Sequence, residues 1–162
     1  MTEEKVHEKF MVEALKQAQK AFDAGDVPVG AVVVYENRII AKACNQMVLL
    51  KDPTAHAEII ALTQASETLS RQTENHRGSL EKATLYVTLE PCLMCAGALI
   101  NTKCPHLVFG AHDPRAGACG SLYNAVQDDR LNHRLQVKHG ILAEESRFLL
   151  KEFFRNLRKE QR

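Results

Sequence analysis

The sequence predicts an α/β domain in which helices cover a mixed, five-stranded sheet. Three observations carry that prediction. Short β-branched apolar runs alternate with stretches of helical period, Gly, Pro and Asn clusters punctuate them, and the 162 residues contain no internal repeat or low-complexity linker. That length suits one domain with a respectable core, spanning residues 1–162.

The elements follow in order. Glu4 to Phe22 reads as a helix, because Val6, Phe10, Ala14, Ala18 and Phe22 recur four apart and drift slowly around one face. Gly25-Asp26-Val27-Pro28 stops it. Val29 to Tyr35, almost wholly apolar, is a buried strand, and Glu36-Asn37-Arg38 turns it into a partner strand, Ile39 to Cys44. Asn45 to Thr54 is loop. Thr54, after Pro53, is placed to cap a helix over Ala55 to Leu69. Ser70 to Lys82, polar, aperiodic and holding Gly78, reads as a surface excursion. Ala83 to Leu89 is a strand, Cys92 to Thr102 a small-residue helix, and His106 to Phe109 a short strand. A Gly-rich loop, Ala111 to Gly120, precedes a last strand at Arg134 to Val137. A final helix runs from Leu142 to about Lys159, with Leu142, Leu149, Phe153 and Leu157 as its apolar face.

Composition narrows the setting. A hydrophobic content of 45% with 25% charged residues is ordinary for a soluble globular chain. The N-terminus has a charged amphipathic pattern rather than a signal peptide, and no apolar run is long enough to span a bilayer. Five cysteines, an odd number without a signal, argue for reduced thiols and a cytoplasmic protein. A net charge of +1 leaves the partner open, since a nucleic-acid binder needs its cations gathered on one face.

The chemistry-bearing stretches are His56-Ala57-Glu58 and Pro91-Cys92-Leu93-Met94-Cys95. One histidine and two cysteines are the three protein ligands a catalytic zinc uses when its fourth position stays open to water. Both groups fall at helix starts, where unpaired N–H groups and the helix dipole favour the thiolate that binds metal. Cys92 and Cys95, three apart, share a helical face. Two thiolates and a neutral imidazole leave one Zn²⁺ per chain formally neutral. Water bound to that ion ionises nearer neutrality and becomes a hydroxide nucleophile, and Glu58 is the carboxylate that shuttles its proton. The competing reading is a structural zinc site or a redox dithiol. A structural site needs a fourth ligand, and the nearest candidates are Cys104 and His106. An intact helix sets Cys104 about 14 Å from Cys95 at 1.5 Å per residue. A redox pair leaves His56 and Glu58 without a role.

H-x-E followed by P-C-x-x-C is the signature of the zinc deaminases. The surrounding stretches Asp52 to Glu58, Leu85 to Cys92, Gly117 to Leu122, Asn132-His133-Arg134 and Gly140-Ile141-Leu142 closely resemble the bacterial tRNA-specific adenosine deaminases, over nearly the whole chain from Val6 to Arg158. The resemblance implies the three-layer α/β/α cytidine deaminase-like fold, a homodimer, and conversion of adenosine to inosine at the wobble position of a tRNA anticodon. It assigns His56, Cys92 and Cys95 as zinc ligands and Glu58 as proton shuttle. It places Asn45 on the target nucleoside, Ala57 and Pro91 around the pocket, Val29 and Gly30 near the base, and Asp113 near the ribose or backbone. Two departures stand out: extra length within residues 70–82, read as neutral surface, and Cys119 where a smaller, inert residue is usual, read as packing.

The zinc ligands alone do not choose between adenosine in RNA and a free guanine, cytosine or cytidine, which relatives of this fold deaminate. A non-catalytic RNA-binding subunit that keeps zinc for stability is the third reading, and the intact Glu58 argues against it. An anticodon stem-loop needs phosphate contacts. Arg147, Lys151, Arg155, Arg158 and Arg162 line one face of the last helix with Phe148, Phe153 and Phe154 interleaved, so Arg155, Arg158 and Phe154 are the candidate RNA contacts. Periodicity alone favours a solvated outer face with the phenylalanines packed in the core, and it is the family resemblance that points to RNA. His7, His76, His106, His133 and His139 read as ordinary histidines, whereas His112, beside Asp113, is placed to meet substrate. Cys44 and Cys104 read as small buried residues.

Overall fold

The structure, a computed structural model, describes residues 1–74 and 77–161. Five strands form one sheet in the order β2-β1-β3-β4-β5: β1 Gly30–Tyr35, β2 Arg38–Cys44, β3 Ala83–Leu89, β4 His106–Ala111 and β5 Gln136–His139. β1 is antiparallel to both β2 and β3, while β3, β4 and β5 are mutually parallel. The helices are α1 Glu3–Asp23, α2 Met47–Leu50, α3 Ala57–Gln72, α4 Leu93–Asn101 and α5 Ala143–Glu160. The expected mixed five-stranded sheet between helical layers is therefore present.

The three central strands, β1, β3 and β4, are buried along nearly their whole length because both faces are covered. Along β1, Val32 and Val34 join Tyr86, Val108 and the α1 residues Phe10, Met11 and Ala14 in one cluster. Ala31 and Val33 point the other way, into a larger cluster with Leu85, Phe109, the α3 residues Ala61, Leu62 and Ala65, and Leu99 of α4. The α5 helix lies on the α1 side, where the rings of Phe22 and Phe153 meet edge-on at 6.1 Å. The β1–β2 turn places Glu36 and Asn37 at φ 50° and 61°, the left-handed pair a two-residue hairpin requires.

Several expected boundaries shift. Thr54 does not cap α3: its amide and hydroxyl both donate to Asp52 Oδ1, at 2.8 and 2.7 Å, and His56 is the N-cap. The loop after β2 contains α2, and β5 begins at Gln136 rather than at Arg134, which pairs with Asp129 instead. Of the 70–82 segment, the described residues are not merely surface. α3 extends through Gln72, and Leu80 is fully buried, its amide donating to the Thr102 carbonyl at 2.7 Å. His76 lies outside the described residues. Leu157 belongs to no apolar face, being 38% exposed, and Cys44 is only half-buried.

The topology brings two chain segments to one end of the sheet. Gly30 pairs with Cys44 and Ala31 with Val87, so β2 and β3 run in the same direction on either side of β1 and release the chain at the same end. Asn45 follows β2 there, and Glu90 follows β3. This is the end where open α/β sheets gather ligands.

Candidate active site and metal centre

α3 and α4 start at this end, and their N-caps are His56 and Cys92. Neither side chain caps its own helix. Instead Asn45 Oδ1, from the end of β2, accepts the Ala57 amide at 2.8 Å. A borrowed cap satisfies one of the four orphan amides of α3 and leaves the imidazole free to turn inward. His56 Nδ1 then faces both sulfurs, 3.5 Å from Cys92 Sγ and 3.6 Å from Cys95 Sγ. Among the described residues, His56, Cys92 and Cys95 form the one group of three or more such side chains that could hold a metal ion. Neither Cys104, whose thiol faces the Ala83 carbonyl at 3.6 Å, nor His106 belongs to it, so neither candidate fourth ligand of the structural reading is in place.

Electrostatics follows from this crowding. The thiol of Cys95 donates toward Cys92, which holds Cys92 below the ordinary thiol range and pushes Cys95 above it, so the pair shares one proton. The same Cys92 sulfur, by accepting from His56, holds the imidazole above its usual value. Glu58, in the first turn of α3 and 4% exposed, is pushed up to about 7 by burial. Its Oε1 is the one buried side-chain oxygen or nitrogen, among the described residues, without a hydrogen-bond partner. An unpaired buried carboxylate oxygen is costly unless something outside the protein completes it.

The other anticipated residues divide. Asn45 is buried and Ala57 is wholly covered; Pro91 is buried as well, and Val29, 5% exposed, passes its carbonyl to the Asn45 amide at 3.1 Å. Gly30 faces α1, and that helix, not a base, accounts for its missing side chain. Asp113 turns its carboxylate back on its own loop, accepting the amides of Arg115 and Ala116 at 3.0 and 3.2 Å. Cys119 is buried. Arg155, Arg158 and Phe154 lie exposed on α5 beyond the Phe22–Phe153 contact, and Arg155 pairs with Glu152 of its own helix. Arg162 lies outside the described residues.

Glu90 is the residue that sequence reasoning passed over. It is 2% exposed, and its carboxylate accepts the amides of Asp113, Cys119 and Ser121 at 3.0, 3.1 and 3.0 Å. It also takes the Ser121 hydroxyl and lies 3.2 Å from His112 Nδ1. Burial pushes this carboxyl up, but the bonds from Ser121, Asp113 and Cys119 outweigh it and hold it below the ordinary range. The signal in the sequence was one acid between the apolar run of β3 and Pro91.

Comparison with known proteins agrees with this geometry. The family model of MafB19-like deaminases matches residues 5–158. A tRNA-specific adenosine deaminase of Bacillus subtilis is 44% identical over 155 residues, covering 96% of this chain and 92% of that protein. A solved structure from a study of A-to-I editing by tRNA:A34 deaminases at the wobble position of transfer RNA superposes with a TM-score of 0.81 at 39% identity. It covers 88% of this chain and 99% of its own. A guanine deaminase from Bacillus subtilis is 34% identical with a TM-score of 0.59, over 65% of this chain and 64% of that one.

Proposed function

The chain belongs to the MafB19-like deaminase family, together with the tRNA-specific adenosine deaminases, and from that premise we propose that it converts adenosine to inosine at the wobble position of a tRNA anticodon. The observation that carries the reading is the convergence of His56, Cys92 and Cys95 on one point, with the unpartnered Glu58 oxygen beside them.

The donor set fits a tetrahedral zinc ion. Bonds of about 2.0–2.1 Å to nitrogen and 2.3 Å to sulfur at a tetrahedral angle put N and S about 3.6 Å apart. The observed separations are 3.5 and 3.6 Å. When bound, zinc supplies Lewis acidity that activates water for attack on carbon. The overall change replaces the exocyclic C6–N bond of adenosine with a C6–O bond from water and releases ammonia. Glu58 takes a proton from the attacking water and passes it to ring N1; it then takes the remaining proton of that oxygen and gives it to the amine as the C6–N bond breaks and the C6–O bond becomes a carbonyl. A carboxyl pushed up to about 7 is suited to both halves of that task, since it gains and loses a proton near neutrality. The Asn45 side chain caps α3 through Oδ1, which leaves its amide nitrogen as a donor for a nucleoside oxygen or ring nitrogen. Ala57, Val29 and Pro91 wall the pocket without offering polar atoms of their own side chains.

The RNA is held by the exposed second half of α5, and the target base is splayed from its loop into the site. Exposed Leu93 and Met94 on the first turn of α4, with Val48 to Leu50 of α2, supply apolar surface for a second copy of the chain in a homodimer. No helix among the described residues is long and apolar enough to cross a membrane, and five free cysteines suit the reducing cytoplasm where tRNA is found.

The test is inosine formation in an anticodon stem-loop RNA with adenosine at the wobble position, with free adenosine, guanine and cytosine run in parallel. Inosine in the RNA is expected, and Glu58→Ala should lower the rate by about 10²–10⁴-fold or more while zinc stays bound. Ammonia released from guanine alone would keep the deaminase chemistry and overturn the RNA substrate. Near-normal turnover by Glu58→Ala would overturn the proton-shuttle role.

A further inference from the structure

The hydrogen-bond partners of Glu90 are Asp113, Cys119, Ser121 and His112 rather than His56 or Cys95, yet it is among the most completely buried side chains of the protein. Its two oxygens are saturated by one loop. Oε1 accepts from the Asp113 amide and the Ser121 hydroxyl, and Oε2 accepts from the Cys119 and Ser121 amides. Gly117 crosses directly above: a Cβ there would sit 2.2 Å from Oε2. The loop so gathered is joined to the metal-binding turn by a bridge between Cys92 and Gly117 and by the Ala118 amide, which donates to the Pro91 carbonyl at 2.9 Å. On its solvent side, His112 Nδ1 touches the carboxylate, and His112 Nε2 reaches His139 Nδ1 at 3.2 Å.

A loop of nine residues with two glycines has no regular structure to fix it. One buried anion receiving three backbone amides replaces that structure, because amides that point at a common charge can do so in few backbone conformations. We propose that Glu90 is the positioning residue of the 113–121 loop: it organises the loop beside the metal centre in the conformation that admits substrate, and acts on the reaction only through that loop. The kinetic part of this proposal rests on the deaminase reading above; the structural part does not.

Glu90→Gln separates the two. Glutamine keeps the volume but can present only one oxygen. Placed to keep the Cys119 and Ser121 amides, it turns its NH₂ toward the Asp113 amide, so donor faces donor at that end alone. The expected result in the metal-loaded variant is faster hydrogen exchange at Asp113, by about tenfold or more, with Cys119, Ser121 and the first turns of α3 and α4 unchanged. The sulfur-to-cobalt absorption of the cobalt-substituted protein should also be unchanged, showing Cys92 and Cys95 still bound. On the stem-loop RNA, KM should rise by roughly tenfold or more with a smaller change in kcat. Ser121→Ala, which removes one hydroxyl and leaves every amide bond, should shift KM in the same direction by less. Glu90→Gln with exchange at Asp113 and KM both within twofold of the parent would overturn the proposal. So would altered cobalt absorption with KM unchanged, which would make Glu90 a support of the metal-binding turn instead. If the RNA is no substrate at all, the exchange pattern still decides whether Glu90 holds the loop.

Discussion

Gly30 and Ala14 are in such close approach that a Cβ on Gly30 would sit 2.0 Å from the Ala14 carbonyl oxygen and 2.4 Å from the Ala18 amide nitrogen. The obstacle is backbone of α1, which cannot swing aside as a side-chain tip would. Gly30→Ala is therefore expected to destabilise the protein by about 3 kcal/mol or more, as overpacking against a rigid neighbour does. Urea unfolding of the metal-loaded variant measures this, and an unchanged midpoint would mean that α1 and β1 do not pack this tightly.

Leu80 separates a tethered 77–82 segment from loose surface. Because it is fully buried among the α3–α4 core residues, Leu80→Ala should cost about 2–5 kcal/mol in denaturant unfolding. Glu81→Ala, at an exposed neighbour, should stay within about 0.5 kcal/mol. Equal small effects at both positions would return the segment to surface.

Tyr86 makes stability fall in alkali. Burial pushes its hydroxyl up to about 12, with the charge of Glu3 adding, and His7 Nδ1 lies 2.8 Å from the oxygen. The folded chain thus holds this proton to higher pH than the unfolded chain, whose tyrosines ionise near 10. The contribution is complete below about pH 10 and is lost as pH rises through about 12, to a total of about 2–3 kcal/mol at ~1.4 kcal/mol per pKa unit. Urea midpoints should drop between about pH 10 and pH 12 in the parent and drop less in Tyr86→Phe. Parallel declines would assign the alkaline loss to other groups.

Arg155 and Arg158 test the α5 surface. Replacing both with alanine should weaken binding of the stem-loop RNA and make the salt dependence of log K shallower by about 1–2, as expected when one or two phosphate contacts disappear. Zinc content and thermal stability should not move, since both side chains are exposed. Fluorescence anisotropy across a potassium chloride series gives the slope; an unchanged slope makes the stripe an ordinary solvated face.

Much of the molecule was determined by the sequence itself. The five strands and four long helices are legible because each carries its own local signal: a β-branched run, a helical period, or a polar turn such as Glu36–Asn37. The metal group is legible too, because its ligands are chemically distinctive and sit beside capping positions. Tertiary structure alone decided the rest, where a residue's meaning depends on a partner distant in the chain. His56 rather than Thr54 begins α3, because Asn45 caps that helix from the end of β2. Gly30 lacks a side chain on account of α1, and Leu80 is core because Thr102 holds its amide. Glu90 looks like one more acid in the sequence and becomes the centre of a loop only when Asp113, Cys119 and Ser121 fold around it. Local periodicity reports which face of an element is apolar; it carries no record of which distant amide or carbonyl will meet a given side chain, and in this protein those meetings build the surroundings of the site.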